Sequence, residues 1–292
     1  MLFLIGSIAL TSYLILSFKV LERMGISVLQ AIIFNYFACV VTGSVVSGSF
    51  PIHTEGIRQP WFPWAIVTGT MLIIMLNIIG ICTQKIGVSV TTVANKLSLV
   101  IPFIVSIFLY NESAGALKII GVVIALVAVV CTSYSPQKEP GGKSTPLLLL
   151  VVLPAILFLG SGVLDSIIKY VETTHLNDSN NDAFLIACFF TAAVLGSLML
   201  IYKIVTGSEK FDARSIPAGI LIGIPNYFSI WCLINVLKAN TGNSSAIIPI
   251  NNMGIVLLCT LVAAVFFKEK LSKLNIAGIV LAIISIVLIS FG

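Results

Sequence analysis

The chain has 292 residues, 58% of them hydrophobic and only 9% charged, with a mean hydropathy of +1.12. A soluble domain carries about a quarter charged residues, so 16 Lys+Arg and 11 Asp+Glu are too few to keep a globular surface of this size wet. A soluble enzyme, a disordered protein and a nucleic-acid binder are thereby excluded. The net charge of +5 is small and scattered through short connections, where it bears on membrane topology rather than on phosphate binding.

A hydrocarbon core of ~30 Å takes about 20 apolar residues of helix. Cutting the chain at charged and turn-rich gaps gives ten such runs: 2–21, 27–47, 62–83, 89–110, 115–134, 147–170, 183–205, 216–237, 243–267 and 273–291. The expected fold is an all-α polytopic membrane protein of ten transmembrane helices, because backbone in lipid must hydrogen-bond to itself. The first run has no basic leader and no small-residue cleavage site, and reads as a retained helix rather than a signal peptide. The longest connections, Gly48–Trp61, Ser135–Pro146, Glu172–Asp182 and Thr206–Ser215, are too short for an extramembrane domain. Cys39, Cys82, Cys131, Cys188, Cys232 and Cys259 all fall inside apolar runs without CxxC spacing, as packing residues do. Gly219/Gly223, Gly43/Ser47, Gly121/Ala125 and Gly278/Ala282 are small residues four apart, the spacing that lets helix backbones approach.

Two ionisable residues lie deep in the runs, where a charge costs about 2.5–3.5 kcal/mol on insertion scales. Lys96 is about 10–12 Å from the nearer end of the fourth run and has no acid three or four residues away. It reads either as a snorkelled lysine or as a cation facing a central cavity. Asp165, in the sixth run, has Lys169 one turn on and pairs most simply with it; pairing with Lys96 looks awkward, since the two sit near opposite ends of parallel spans. Asp165 is also the one deep acid worth testing for proton coupling. Amides and aromatic rings recur along the runs, and Asn77, Asn95, Asn226, Tyr227, Trp231, Asn251 and Asn252 are the candidates for the wall of a polar cavity. Interhelical hydrogen bonding is the competing use of each. Pro102, Pro154, Pro225 and Pro249 are expected to kink or unwind their helices.

The chain also repeats itself. A shift of 157 residues lays Val88–Ser135 over Ser245–Gly292, matching Glu112 with Glu269, Leu117 with Leu274, Gly121 with Gly278 and Asn95 with Asn252. Lys19 and Glu22 similarly resemble Lys169 and Glu172. The expected organisation is a first five-helix repeat over 1–134, a connection at 135–146 and a second repeat over 147–292. Five spans is an odd number, so the second half enters the membrane inverted, an arrangement common among secondary transporters. Ten spans as five plus five, with Glu and Leu opening the last helix of each half and an Ile-x-Gly following, resembles the drug/metabolite transporter superfamily, and within it the EamA-like family. The repeat-motif residues Glu112, Gly121, Glu269 and Gly278 look structural. The resemblance implies a carrier, in many members an exporter of amino acids or other small metabolites, in the inner membrane of a bacterium.

Other functions fit less well. His53 and His175 are the only histidines, both in connections, and no GxSxG, HExxH or P-loop motif occurs. The expectation is therefore a non-enzyme without cofactor or metal, whose partners are a small-molecule substrate and the lipid bilayer but not nucleic acid. The alternative is a non-transporting receptor or structural membrane protein, with an intramembrane enzyme behind it. Odd-numbered connections carry eleven Lys and Arg against four in the even-numbered ones. The positive-inside rule then puts both termini outside, whereas the resemblance implies cytoplasmic termini.

Overall fold

The computed structural model describes residues 2–50, 54–110, 115–133, 147–177, 180–238 and 244–291, and among these the chain is entirely helical. The helices are α1 (Leu2–Arg23), α2 (Val28–Ser47), the single turn α3 (Thr54–Ile57), α4 (Phe62–Lys85), α5 (Val88–Leu97) and α6 (Val100–Tyr110). They continue as α7 (Ala116–Ser133), α8 (Leu147–His175), α9 (Asn181–Val205), α10 (Ser215–Lys238), α11 (Ser244–Val265) and α12 (Lys273–Phe291). Among the described residues seven segments are long and apolar enough to cross a membrane, α5 and the start of α6 counting as one of them. Three shorter apolar helices lie at Ala116–Thr132, Ile250–Val265 and Lys273–Ile289. The chain is thus built as a multi-pass integral membrane protein is, with most large apolar side chains of α1, α7 and α12 that miss the core facing outward.

The fourth apolar run is the exception to one run, one helix. It breaks at Ser98–Leu99, between α5 and α6, one turn before the proline on which the kink was expected. Pro102 has no N–H to offer the Ser98 carbonyl four residues back. That carbonyl accepts instead from the Ile101 N–H at 2.9 Å, and the chain turns there. Pro154 and Pro225, by contrast, sit inside continuous helices.

Packing falls into two main apolar bodies. One joins α2, α4, α9 and α10, with Tyr36, Ile33, Ile186 and Phe189 fully buried at its centre. The other joins α5, α7, α11 and α12 around Leu97, Val256 and Ile286. α1 packs on α10 and α11, and more lightly on α4 and α5; α8 packs on α4, α5, α6 and α7.

Close backbone approaches recur in matched pairs. A Cβ added to Gly43 would meet Ile186, and one on Gly196 would meet Ile33: both partners differ by 153 residues, 33 to 186 and 43 to 196. A Cβ on Gly69 would lie 2.5 Å from the Cys188 carbonyl, and one on Gly223 would lie 2.4 Å from the Asn35 carbonyl, with Asn35 and Cys188 153 apart and the two glycines 154. Between α7 and α12, Gly121 abuts Ile289 while Gly278 abuts Thr132, and the shift of 157 interchanges these two contacts. Only glycine fits at such distances, which explains the small residues in these runs.

Candidate functional site

One end of the bundle is tied together by polar contacts. It holds the C-termini of α1, α4, α9 and α11 and the N-termini of α2, α5, α10 and α12. The Glu269 carboxylate, before α12, accepts the Val88 N–H at 2.7 Å, the Ser89 N–H at 3.3 Å and the Ser89 hydroxyl at 3.1 Å. An anion at a helix N-terminus satisfies otherwise orphan N–H groups and sits favourably on the helix dipole. Arg23 donates to the Phe267 carbonyl at 3.1 Å and stacks 4.7 Å over its ring, and the Lys19 ammonium donates to the Gln84 carbonyl. Gln30, fully buried at the start of α2, donates to Glu209 and to the Lys210 carbonyl and accepts from the Asp212 N–H. Beneath this rim Ile15, Val88, Ile255, Cys259 and Ala263 close into an apolar plug.

Just inside the plug lies the candidate site. On α5, Ser89, Thr92 and Lys96 fall on one stripe. Lys96 lies on α5, which packs against both α8 and α11, with Asp165 of α8 near enough for the two charges to act on each other. Lys96 is half-buried. Asp165 is exposed on α8 and stands beside the turn that ends α5. Ser98, in the turn between α5 and α6, puts its hydroxyl 2.5 Å from the Asn95 carbonyl and 3.4 Å from the Asp165 carboxylate.

Asp165 was expected to look to Lys169 along its own helix; the hydrogen-bonding contact found for it is with Ser98, in the turn after α5. Counting turns from the start of α8 misjudged the levels because α8 has 29 residues, well over the ~20 a bilayer needs. Among the described residues the ion pairs within 4 Å are Lys19–Glu22, Lys203–Glu209 and Arg214–Asp212, all on the polar rim. Lys96 and Asp165 are coupled but not joined. A gap between opposite charges leaves each with hydrogen-bonding capacity for a third group.

The other residues singled out in the sequence divide. Asn95 is half-buried beside Lys96, and Asn252 is buried one turn from Val256 and two from Cys259 on α11. Asn251 is buried with its Oδ1 lacking a hydrogen-bond partner, as is the Ser161 hydroxyl one turn before Asp165. Asn226 instead donates to Asn35 Oδ1 at 3.1 Å across the α2–α10 contact, and Tyr227 packs in the core against Gly43. Trp231 meets Phe3 and Phe228 edge to face at the opposite end of the bundle from Glu269. Asn77 donates to the Ile73 carbonyl on its own helix and borders a groove on the outside of the bundle. Gly121 and Gly278 lie at the α7–α12 contact; Glu112 lies outside the described residues. Sequence reasoning passed over Ser98, Gln30 and Glu209, because serine, glutamine and a loop glutamate carry no burial cost visible without neighbours.

No protein-family model matches the chain. A protein of Haemophilus influenzae described as uncharacterized is 26% identical over 272 residues, covering 92% of this chain and 90% of that one. The likeness runs over nearly the whole of both chains.

Proposed function

We propose that the chain is a secondary carrier of the drug/metabolite transporter type, close to the EamA-like family, with ten membrane-crossing segments in two inverted five-helix halves. The matched contacts of Gly43 with Gly196, Gly69 with Gly223 and Gly121 with Gly278 support a pseudo-two-fold axis in the membrane plane. An axis of that kind exchanges the two members of every such contact. The polar rim gathers the Lys- and Arg-rich connections, and by the positive-inside rule it faces the cytoplasm of a bacterial inner membrane. Both termini are then outside.

The observation that carries the reading is the approach of Asp165 on α8 to the α5–α6 turn beside Lys96, behind the sealed rim, with no ion pair within 4 Å between the two. A cation and an anion held apart suit a small solute bearing a carboxylate and a hydrogen-bond donor, as a zwitterionic amino acid does, with Asn251 Oδ1 and Ser161 offering further contacts. The proposed direction is export, as in many members of the family it resembles, and Asp165 is the residue to test for proton coupling. The decisive experiment is a stabilisation and efflux screen of small metabolites on the intact protein and on Lys96→Ala, Asp165→Asn and Asn252→Ala. A solute that stabilises the wild type is expected to lose at least about tenfold in affinity on Lys96→Ala, the worth of one charge-assisted hydrogen bond. Wild-type handling of that solute by all three folded variants puts the site elsewhere. A full screen without any bound or transported solute supports the receptor or structural alternative.

A further inference from the structure

A groove of about 600 Å³ runs along the outside of the bundle between α2, α4 and α9, away from Lys96 and Asp165. Its walls include Ile74, Ile78, Ile81, Leu195 and Met199, and of these Ile74, Ile81 and Met199 are exposed, so it opens sideways. On α4 it extends from Thr70 to Gln84, about 21 Å at ~1.5 Å per residue. α4 itself spans Phe62–Lys85, so the groove begins near mid-depth and ends at the polar rim. One leaflet of a ~30 Å hydrocarbon core is about 15 Å deep. The groove thus spans one leaflet and reaches its headgroup layer.

Polarity follows the same direction. The two polar groups at mid-depth are already used, Thr70 donating to the Ile66 carbonyl and Asn77 to that of Ile73, each at 2.7 Å. At the rim end stand Gln84 and Lys203. The nearest carboxylate to Lys203, that of Glu209, is 3.8 Å away and also accepts from Ser27 and Gln30, which leaves the ammonium with donors to spare. The exposed Lys85 adjoins Gln84 on the same rim. An apolar trough one leaflet long with a cation at its headgroup end is complementary to a lipid with an acyl chain and an anionic head.

We propose that this groove is a binding site for one anionic phospholipid of the leaflet on the polar-rim side, an acyl chain lying along Ile74 and Ile81 and the phosphate meeting Lys203. The site stands independently of the transport reading. It is tested on the full-length protein in detergent by native mass spectrometry and thermal unfolding, with mixed micelles of phosphatidylglycerol or phosphatidylcholine as probes. The wild type is expected to retain and be stabilised by phosphatidylglycerol in preference to phosphatidylcholine. Lys203→Gln is expected to cut that preference about fivefold, the worth of one cation at a membrane surface. Ile74→Trp, at a position already facing lipid, fills the trough and is expected to lower retention of both lipids while lipid-free unfolding stays unchanged. It serves as the test should Lys203→Gln fail to fold. Equal retention of the two lipids by the wild type overturns the proposal, as does equal stabilisation by soluble glycerol phosphate. A concentration-dependent dimer abolished by Ile74→Trp overturns it in favour of a second copy of the chain in the groove.

Discussion

α1 opens the first of the two halves proposed above and α8 the second, and each packs on helices of the other: α1 on α10 and α11, α8 on α4, α5 and α6. They differ in what else they hold. α1 also leans on α4 and α5, and its Ile15 is 2% exposed in the plug with Val88 and Cys259. α8 carries at a comparable depth the exposed Asp165, opposite Lys96. Two helices in similar roles therefore spend their mid-depth positions differently, one on sealing and one on presenting a charge. Under the carrier reading proposed above, this difference separates residues that hold the fold from residues left free to act.

The sharpest way to break that comparison is to exchange the characters of the two positions. Ile15→Asn removes a buried aliphatic side chain and buries an amide among apolar neighbours, a combined cost of about 3–4 kcal/mol. Asp165→Ile replaces an exposed carboxylate and is expected to change stability by less than about 1 kcal/mol, because exposed charges contribute little, while abolishing handling of the solute. Unfolding temperatures of the two variants in the same detergent check this. Equal destabilisation makes Asp165 a structural residue like Ile15.

Much of this was legible in the sequence, because in lipid the constraint is severe and local. Run length and hydropathy alone locate the helices, and the cost of a buried charge picks out Lys96 and Asp165. Their proximity was not legible. It depends on the turn at Ser98–Leu99 and on the length of α8, neither of which hydropathy reports. The amides were harder still. Asn226 occupied with Asn35 and Asn251 with an unpartnered Oδ1 have the same sequence signature, an asparagine in an apolar run, and only the neighbouring helix tells them apart. Glu269 was legible as a repeated residue but not as a tie between α5 and the α11–α12 turn.

That tie gives the next prediction. Glu269→Ala leaves two N–H groups of the α5 N-terminus and the Ser89 hydroxyl without their anionic acceptor, a loss of about 2 kcal/mol for hydrogen bonds to a charged group. Applied to an equilibrium between sealed and opened rims, 2 kcal/mol raises the opened fraction about 30-fold. Cys259, fully buried in the plug, reports it. With the other five cysteines replaced, its labelling by a membrane-impermeant maleimide is expected to accelerate by a comparable factor. An unchanged rate in a folded variant means that the apolar plug seals this end without Glu269.

The smallest effect expected on the sealed side concerns Asp212 in the α9–α10 connection. Its carboxylate accepts from Arg214 through Nε at 3.0 Å and Nη2 at 2.9 Å, and this guanidinium holds its pKa below the usual carboxylate range. Arg214 in turn donates to the Gly25 carbonyl at 3.0 Å, tying the connection to the α1–α2 turn. A folded-state pKa below the unfolded one means that the unfolded chain binds the proton more readily. The stabilisation is accordingly present above the unfolded pKa and lost as pH falls through the folded value. The pair is exposed, so the effect is small and weakened by salt. Asp212→Asn is expected to unfold slightly earlier than wild type at pH 7 and together with it at pH 2, as measured by thermal unfolding in detergent at low ionic strength. A difference that persists unchanged at pH 2 assigns the role of Asp212 to its backbone N–H bond with Gln30, and the rim is then held there by the amide of Gln30 rather than by charge.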